Sequence, residues 1–180
     1  MKSEIKESFL ITEEDYVNMC LSRQKYFIPK ENKIILAVMG IIAILCGTAA
    51  FINIRGNAYQ IICWFLLIAI GLYVLSYYEV INPLIVKDHA TKFFRYNHKL
   101  INSKTFTFNS ESFGMTDQMH QIKIPVKFID KIVESKTTLL IFLDKEEITF
   151  VPKRVLSKEQ INIIRSTIAE EKYVRLPKEV

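Results

Sequence analysis

From Ile34 to Ile52 the chain runs for 19 positions without a charged residue, and from Ile61 to Tyr78 for 18. At about 1.5 Å per helical residue, each run reaches across most of a ~30 Å hydrocarbon core once its flanks are counted. A buried helix of a small soluble protein is rarely apolar on every face. Two in succession predict membrane spans at about 34–54 and 58–78. The connector Arg55-Gly56-Asn57-Ala58-Tyr59-Gln60 can join only antiparallel neighbours, so residues 34–80 read as a transmembrane helical hairpin. The first run is not a cleaved signal, because 33 residues precede it and a second span follows closely. Neither run holds an Asp, Glu, Lys, Arg or His. Gly40, Ala43, Gly47 and Gly71 offer small surfaces, which favours close helix packing over a transport path.

The flanks follow other periods. Residues 1–33 read as an N-terminal cytoplasmic strand and helix. Glu4 to Ile11 suits a strand, and Thr12-Glu13-Glu14-Asp15 is a helix start with a capping Thr and acids at the positive end of the dipole. Tyr16, Met19, Cys20, Arg23 and Phe27 then recur at helical spacing, on a helix that lies either on the bilayer or on the protein's own domain. Pro83 to Ile101 is amphipathic at helical period, with Val86, Ala90, Phe93, Phe94, Leu100 and Ile101 on a broad apolar face. From Ser103 the period changes to two. Phe106 and Phe108, Phe113 and Met115, and Ile122 and Ile124 alternate with polar residues. Thr138–Leu143 and Ile148–Pro152 supply further strands of an antiparallel meander. Ser157-Lys158-Glu159-Gln160 is a capping-box pattern, with Leu156 able to staple onto Ile161. Ile161, Ile164 and Ile168 line one face of a closing helix. The predicted class is an α+β membrane protein. A two-helix hairpin is joined to residues 81–180, a cytoplasmic antiparallel β half-barrel with a basic juxtamembrane helix and a C-terminal helix, in outline pleckstrin-homology-like. Residues from about Ser103 to Tyr173 are expected to hold one core.

Charge gives the hairpin a direction. Met1 to Asn82 carries seven basic and seven acidic residues, whereas Pro83 to Val180 carries seventeen and twelve, so the whole net charge of +5 lies in the second part. Arg23, Lys25, Lys30 and Lys33 precede the first span, and Lys87, Lys92, Arg95 and Lys99 follow the second. The connector holds only Arg55. Excess Lys and Arg marks the cytoplasmic side, so both termini are expected inside and the connector outside. Segregated composition excludes a simple cytosolic enzyme and a disordered chain. Three cysteines without CxxC spacing exclude a disulfide framework or a zinc site.

Candidate chemistry is sparse. HExxH, GxSxG, P-loop, GxGxxG and CxxC patterns are missing, so no catalytic residue, cofactor or metal site is expected. His89 and His98 are nine apart, too far for an i, i+4 ligand pair. The candidate binding residues are cations facing an anionic surface: Lys87, Lys92, Arg95 and Lys99 beside the second span, and Lys153 and Arg154 before the last helix. A basic segment near an anionic leaflet gains about 1 kcal/mol per charge. Lys153 and Arg154 carry two readings: surface cations in solvent after a strand-ending Pro152, or a phosphate-binding pair near helix N–H groups. The expected function is a membrane-anchored, non-enzymatic adaptor or regulatory module binding a protein, peptide or lipid headgroup at the cytoplasmic face. The alternative is a membrane-surface enzyme acting on a lipid or phosphorylated small molecule. Expected partners are membrane lipids, with a protein partner or self-association as a further option. No basic-aromatic platform points to nucleic acid.

The run Ile148-Thr149-Phe150-Val151-Pro152-Lys153-Arg154-Val155-Leu156-Ser157, followed by Glu159-Gln160, resembles the end of the YcxB-like domain, where a hydrophobic-Pro-Lys-Arg element links the last strand to the last helix. Phe128-Ile129-Asp130-Lys131-Ile132-Val133-Glu134 is similar to its central segment. Thr12-Glu13-Glu14-Asp15-Tyr16 and the paired spans also match. Phe128 stands where that family often has Trp, which would keep a bulky core residue there. The resemblance implies a multi-pass protein of the bacterial inner membrane and brings no settled activity.

Overall fold

The computed structural model describes residues 4–52, 58–97, 102–117, 121–143 and 147–177. In chain order the elements are β1 (Ile5–Leu10), α1 (Glu13–Phe27), α2 (Lys30–Ile52), α3 (Ala58–Ser76), α4 (Asn82–Tyr96), β2 (Ser103–Phe108), β3 (Ser112–Thr116), β4 (Gln121–Pro125), β5 (Lys131–Glu134), β6 (Thr138–Phe142), β7 (Ile148–Pro152), α5 (Lys158–Thr167) and β8 (Tyr173–Arg175). One π-helical turn, Tyr77–Ile81, separates α3 from α4. The chain divides into two compact units, Phe27–Val86 and the combination of Met1–Tyr26 with Lys87–Val180.

The first unit is the hairpin. Both its helices are long and apolar enough to cross a membrane. They meet where side chains are smallest. A Cβ added to Gly71 would lie 2.7 Å from Ile44 Cγ1 and 2.8 Å from the Gly40 carbonyl oxygen. One added to Gly40 would lie 2.9 Å from the Gly71 carbonyl oxygen. Glycine at both positions is what lets the two backbones come this close. Ile34, Val38, Ile42 and Leu45 of α2, with Ile62, Phe65 and Leu66 of α3, stay exposed. A hairpin with such an outer surface is unfavourable in water and suited to lipid. The Thr48 and Ser76 hydroxyls donate back to the Ile44 and Leu72 carbonyls, at 2.9 and 2.8 Å, so each polar group is satisfied within its own helix.

The second unit is α+β, with two four-stranded sheets ordered β1-β2-β3-β4 and β7-β6-β5-β8. All pairings are antiparallel except β5 with β8. The alternation seen in sequence sends Phe106, Phe108, Phe113 and Met115 inward. Every residue of β6 is buried, as expected of a strand covered on both faces. Ile161 and Ile164 of α5 join the same core. The capping box is present: Ser157 Oγ accepts from Gln160 N at 3.1 Å, and Gln160 Oε1 accepts from Ser157 N at 2.7 Å.

Three features differ from the sequence reading. Among the described residues eight strands form two sheets, where five or so in one meander were expected from Ser103 onward beside the N-terminal strand. Residues 103–173 do not contain the whole core. β1 pairs with β2 from Ile5↔Phe108 to Leu10↔Ser103, and Ile5, Phe9 and Ile11 are buried in the same cluster. The N-terminal strand and helix are therefore built into this unit, and α1 lies on it through Val17 and the Tyr16 ring, stacked on Phe93 at 5.8 Å. Pairing between strands almost a hundred positions apart leaves no local periodicity to read. Phe128, expected in the core, is 61% exposed, whereas its neighbour Ile129 is fully buried. The short 3-10 turn Val126–Phe128 rotates the chain by one residue and exchanges their places.

Candidate functional site

Of the six candidate cations the described residues hold five, three on α4 and two in the turn after β7. On α4, Lys92 and Arg95 lie off the stripe by which Ala90 and Phe94 are buried, and Lys87 is exposed on that stripe one turn before Ala90. His89, Lys92, Phe93 and Tyr96, at helical spacing, are all exposed, so basic and aromatic groups share one face. Lys92 Nζ pairs with Asp88 at 2.6 Å, one turn away on the same helix. Arg95 makes two bonds to Glu13, from Nε at 2.9 Å and Nη2 at 3.2 Å. That hydrogen bonding holds the Glu13 carboxyl below its usual range. Lys87 is exposed and makes no ion pair among the described residues. Lys99 lies outside the described residues.

Lys153 and Arg154 are placed by the turn after β7, and neither stands as a free cation in solvent. Lys153 Nζ donates to Glu134 Oε1 at 2.8 Å and to the Ser135 carbonyl at 3.2 Å. Arg154 grips Asp15 with Nε at 3.0 Å from Oδ1 and Nη2 at 2.6 Å from Oδ2, and Nη2 also donates to the Leu10 carbonyl at 2.8 Å. Asp15 in turn caps α1: its Oδ2 accepts from Thr12 N, while its own N donates to Thr12 Oγ1. Both cations are thus engaged in ion pairs, with Glu134 and with Asp15, which neither of the two sequence readings contained.

Glu134 is the centre the sequence did not disclose. It ends β5, is 9% exposed, and faces β7, α5 and β8 together. Besides Lys153, Arg165 Nη2 donates to Oε2 at 2.9 Å and the Tyr173 hydroxyl at 2.8 Å, with Arg175 Nε 3.7 Å away. Burial alone would raise its pKa. The hydrogen bonds from Lys153, Arg165 and Tyr173 outweigh that and hold it down to about 2. Burial and the carboxylate push the Tyr173 phenol up to about 12. The one available signal was a lone acid closing the apolar pair Ile132-Val133, which implies a buried charge with partners.

Burial raises the pKa of the Cys20 thiol. Among the described residues no cluster of three or more His, Cys, Asp or Glu could hold a metal ion.

No curated protein and no solved structure matches the chain at a significant level. The family model described as YcxB-like protein matches residues 127–168. That span holds Phe128–Glu134 and Ile148–Gln160, the two segments that carry the resemblance in sequence, and leaves the hairpin and the N-terminal strand outside it. β5, β6, β7 and α5 all lie inside the match, so the segment from residue 127 to residue 168 is similar to the YcxB-like family.

Proposed function

We propose that the chain is a membrane-anchored, non-enzymatic adaptor or regulatory module. In this reading α2 and α3 cross the cytoplasmic membrane of a bacterium as a hairpin, with both chain ends inside. The α+β unit, read as a pleckstrin-homology-like half-barrel closed by α5, works at the inner face on lipid headgroups and a protein or peptide partner. The observation that carries the reading is the exposed α4 face. Lys92 and Tyr96 are exposed beside Phe93, which is half-exposed against Tyr16, on the helix that follows the second apolar run in the chain, with Lys87 exposed one turn earlier. A cation and exposed aromatics on one helix face are the composition of a headgroup contact. The Lys/Arg asymmetry around the apolar runs supports the orientation.

A photo-reactive residue at position 96 of the full chain in native membranes tests this. Tyr96 is 86% exposed, so the substitution leaves the core untouched. Reproducible adducts with an anionic lipid or with one protein support the module. Lack of any adduct contradicts it, and turnover of a captured lipid would move the reading to an enzyme.

A further inference from the structure

β4 is an edge of its sheet: it pairs with β3 on one side and, among the described residues, with no strand on the other. Its register against β3 runs from Ser112↔Pro125 to Thr116↔Gln121. Just past that register Val126 N donates to the Glu111 carbonyl at 2.9 Å, which makes these two a hydrogen-bonded pair. Bonded and non-bonded pairs alternate along an antiparallel ladder. Ile124 with Phe113 and Ile122 with Met115 are therefore the next bonded pairs. The N–H and C=O groups of Gln121 and Lys123 point away from β3, and so does the Pro125 carbonyl. Pro125, which has no N–H to give, sits where β3 asks for none. The edge thus offers two donors and three acceptors to a further strand.

The side chains alternate as well. Ile122 and Ile124 pack on the core but stay only half-buried, whereas Gln121, Lys123 and Pro125 are exposed. From Gln121 to Phe128 the chain carries two charges, Lys123 and Lys127, both positive and both exposed. Lys123 makes no ion pair among the described residues. At Pro125 the edge meets an open groove of about 530 Å3, lined by Val126, Lys127, Ile168 and Ala169 among others, with Glu111 its one acid.

A lysine and a proline on an exposed edge discourage indiscriminate pairing. A second copy of this chain fits poorly. Two-fold pairing centred on Lys123 sets the two Lys123 side chains opposite each other, and sets Pro125, without an N–H, opposite Gln121. We propose that the β4 edge binds an extended segment of a partner protein in which acidic residues alternate with apolar ones. Its backbone continues the sheet by strand addition. An acid falls beside Lys123. Apolar residues fall beside Ile122 and Ile124 and cover what these leave in water, and one beyond Pro125 reaches the groove. The inference rests on the adaptor reading for the existence of a peptide partner and needs nothing of the α4 face.

Full-length protein in detergent would be titrated with a short synthetic peptide alternating valine and glutamate. The controls are a scrambled peptide of the same composition and a valine–lysine peptide. Calorimetry gives affinity, and hydrogen exchange resolved to single residues gives the place. Saturable binding should slow exchange of the Gln121 and Lys123 amides and leave those of Ile122 and Ile124, already bonded to β3, unchanged. Lys123→Glu should weaken binding about fivefold by setting like charges side by side. Gln121→Pro removes an outward donor and no bond to β3, and should weaken binding about tenfold. Peptide binding lost while the position-96 adducts persist refutes this inference alone; adducts lost with peptide binding intact refute the α4 contact alone. No binding of the valine–glutamate peptide, equal binding of either control, or unchanged affinity in Lys123→Glu would overturn the proposal. Gln121 and Lys123 amides protected without peptide, increasingly so at higher protein concentration, would put a second copy on this edge and overturn it too.

Discussion

Replacing Glu134 with Gln keeps the shape of the side chain and removes its charge. Three cations and a phenol then face an amide in place of a carboxylate. In the unfolded chain this carboxyl titrates near 4.5, and in the folded protein at about 2. A depressed folded-state pKa contributes stability that is fully present above pH 4.5 and is lost as pH falls through 2. The gap corresponds to roughly 3 kcal/mol. Removing one partner of a buried pair costs about 3–5 kcal/mol. Arg165 and Arg175 retain solvent contact, at 33% and 59% of their side chains, which moderates the penalty. The expected loss at neutral pH is thus about 2–4 kcal/mol. It would be read as the denaturant dependence of hydrogen exchange in β5 and β8, using the full chain in detergent. As pH falls to 3, about half of the difference between wild type and variant should vanish. Equal stability at pH 7, or a difference that stays constant down to pH 3, would refute the assigned network.

Other expectations follow from the same geometry. Asp15→Asn weakens the Arg154 fork that ties α1 to the turn after β7, and should cost about 1–3 kcal/mol in the same exchange assay, with faster exchange in α1. Gly71→Leu places atoms where Ile44 and the Gly40 carbonyl already lie. Disulfide trapping between cysteines introduced on α2 and α3 should fall sharply, while the β-sheet exchange pattern stays unchanged. Neutralising Lys87, Lys92 and Arg95 together should reduce α4 protection in anionic nanodiscs, and raising salt should do the same to wild type, because exposed charges are screened over about 8–10 Å.

Local pattern made a large part of the fold legible. Phe106, Phe108, Phe113 and Met115 announced two strands by period, and Ser157 with Gln160 announced the start of α5. Gly40 and Gly71 in charge-free runs announced a close helix crossing, which the structure contains. Contacts between distant segments were invisible. β1 finds β2, Asp15 finds Arg154, and Glu134 finds four groups on three other stretches of chain. None of these pairings has a sequence spacing to betray it. The same blindness left Lys153 and Arg154 open to two readings, solvated cations or a phosphate-binding pair, since the carboxylates of Glu134 and Asp15 that they meet lie far away in sequence.

The central claim is that the α2–α3 hairpin crosses a membrane and leaves the α+β unit on the inner side. Thiol labelling of single-cysteine variants in intact cells tests it most directly, with Cys20, Cys46 and Cys63 first replaced. Asn57→Cys, in the connector, should react with an impermeant maleimide, and Glu179→Cys should react only after permeabilisation. Glu179→Cys labelled in intact cells, with Asn57→Cys shielded, would contradict the account.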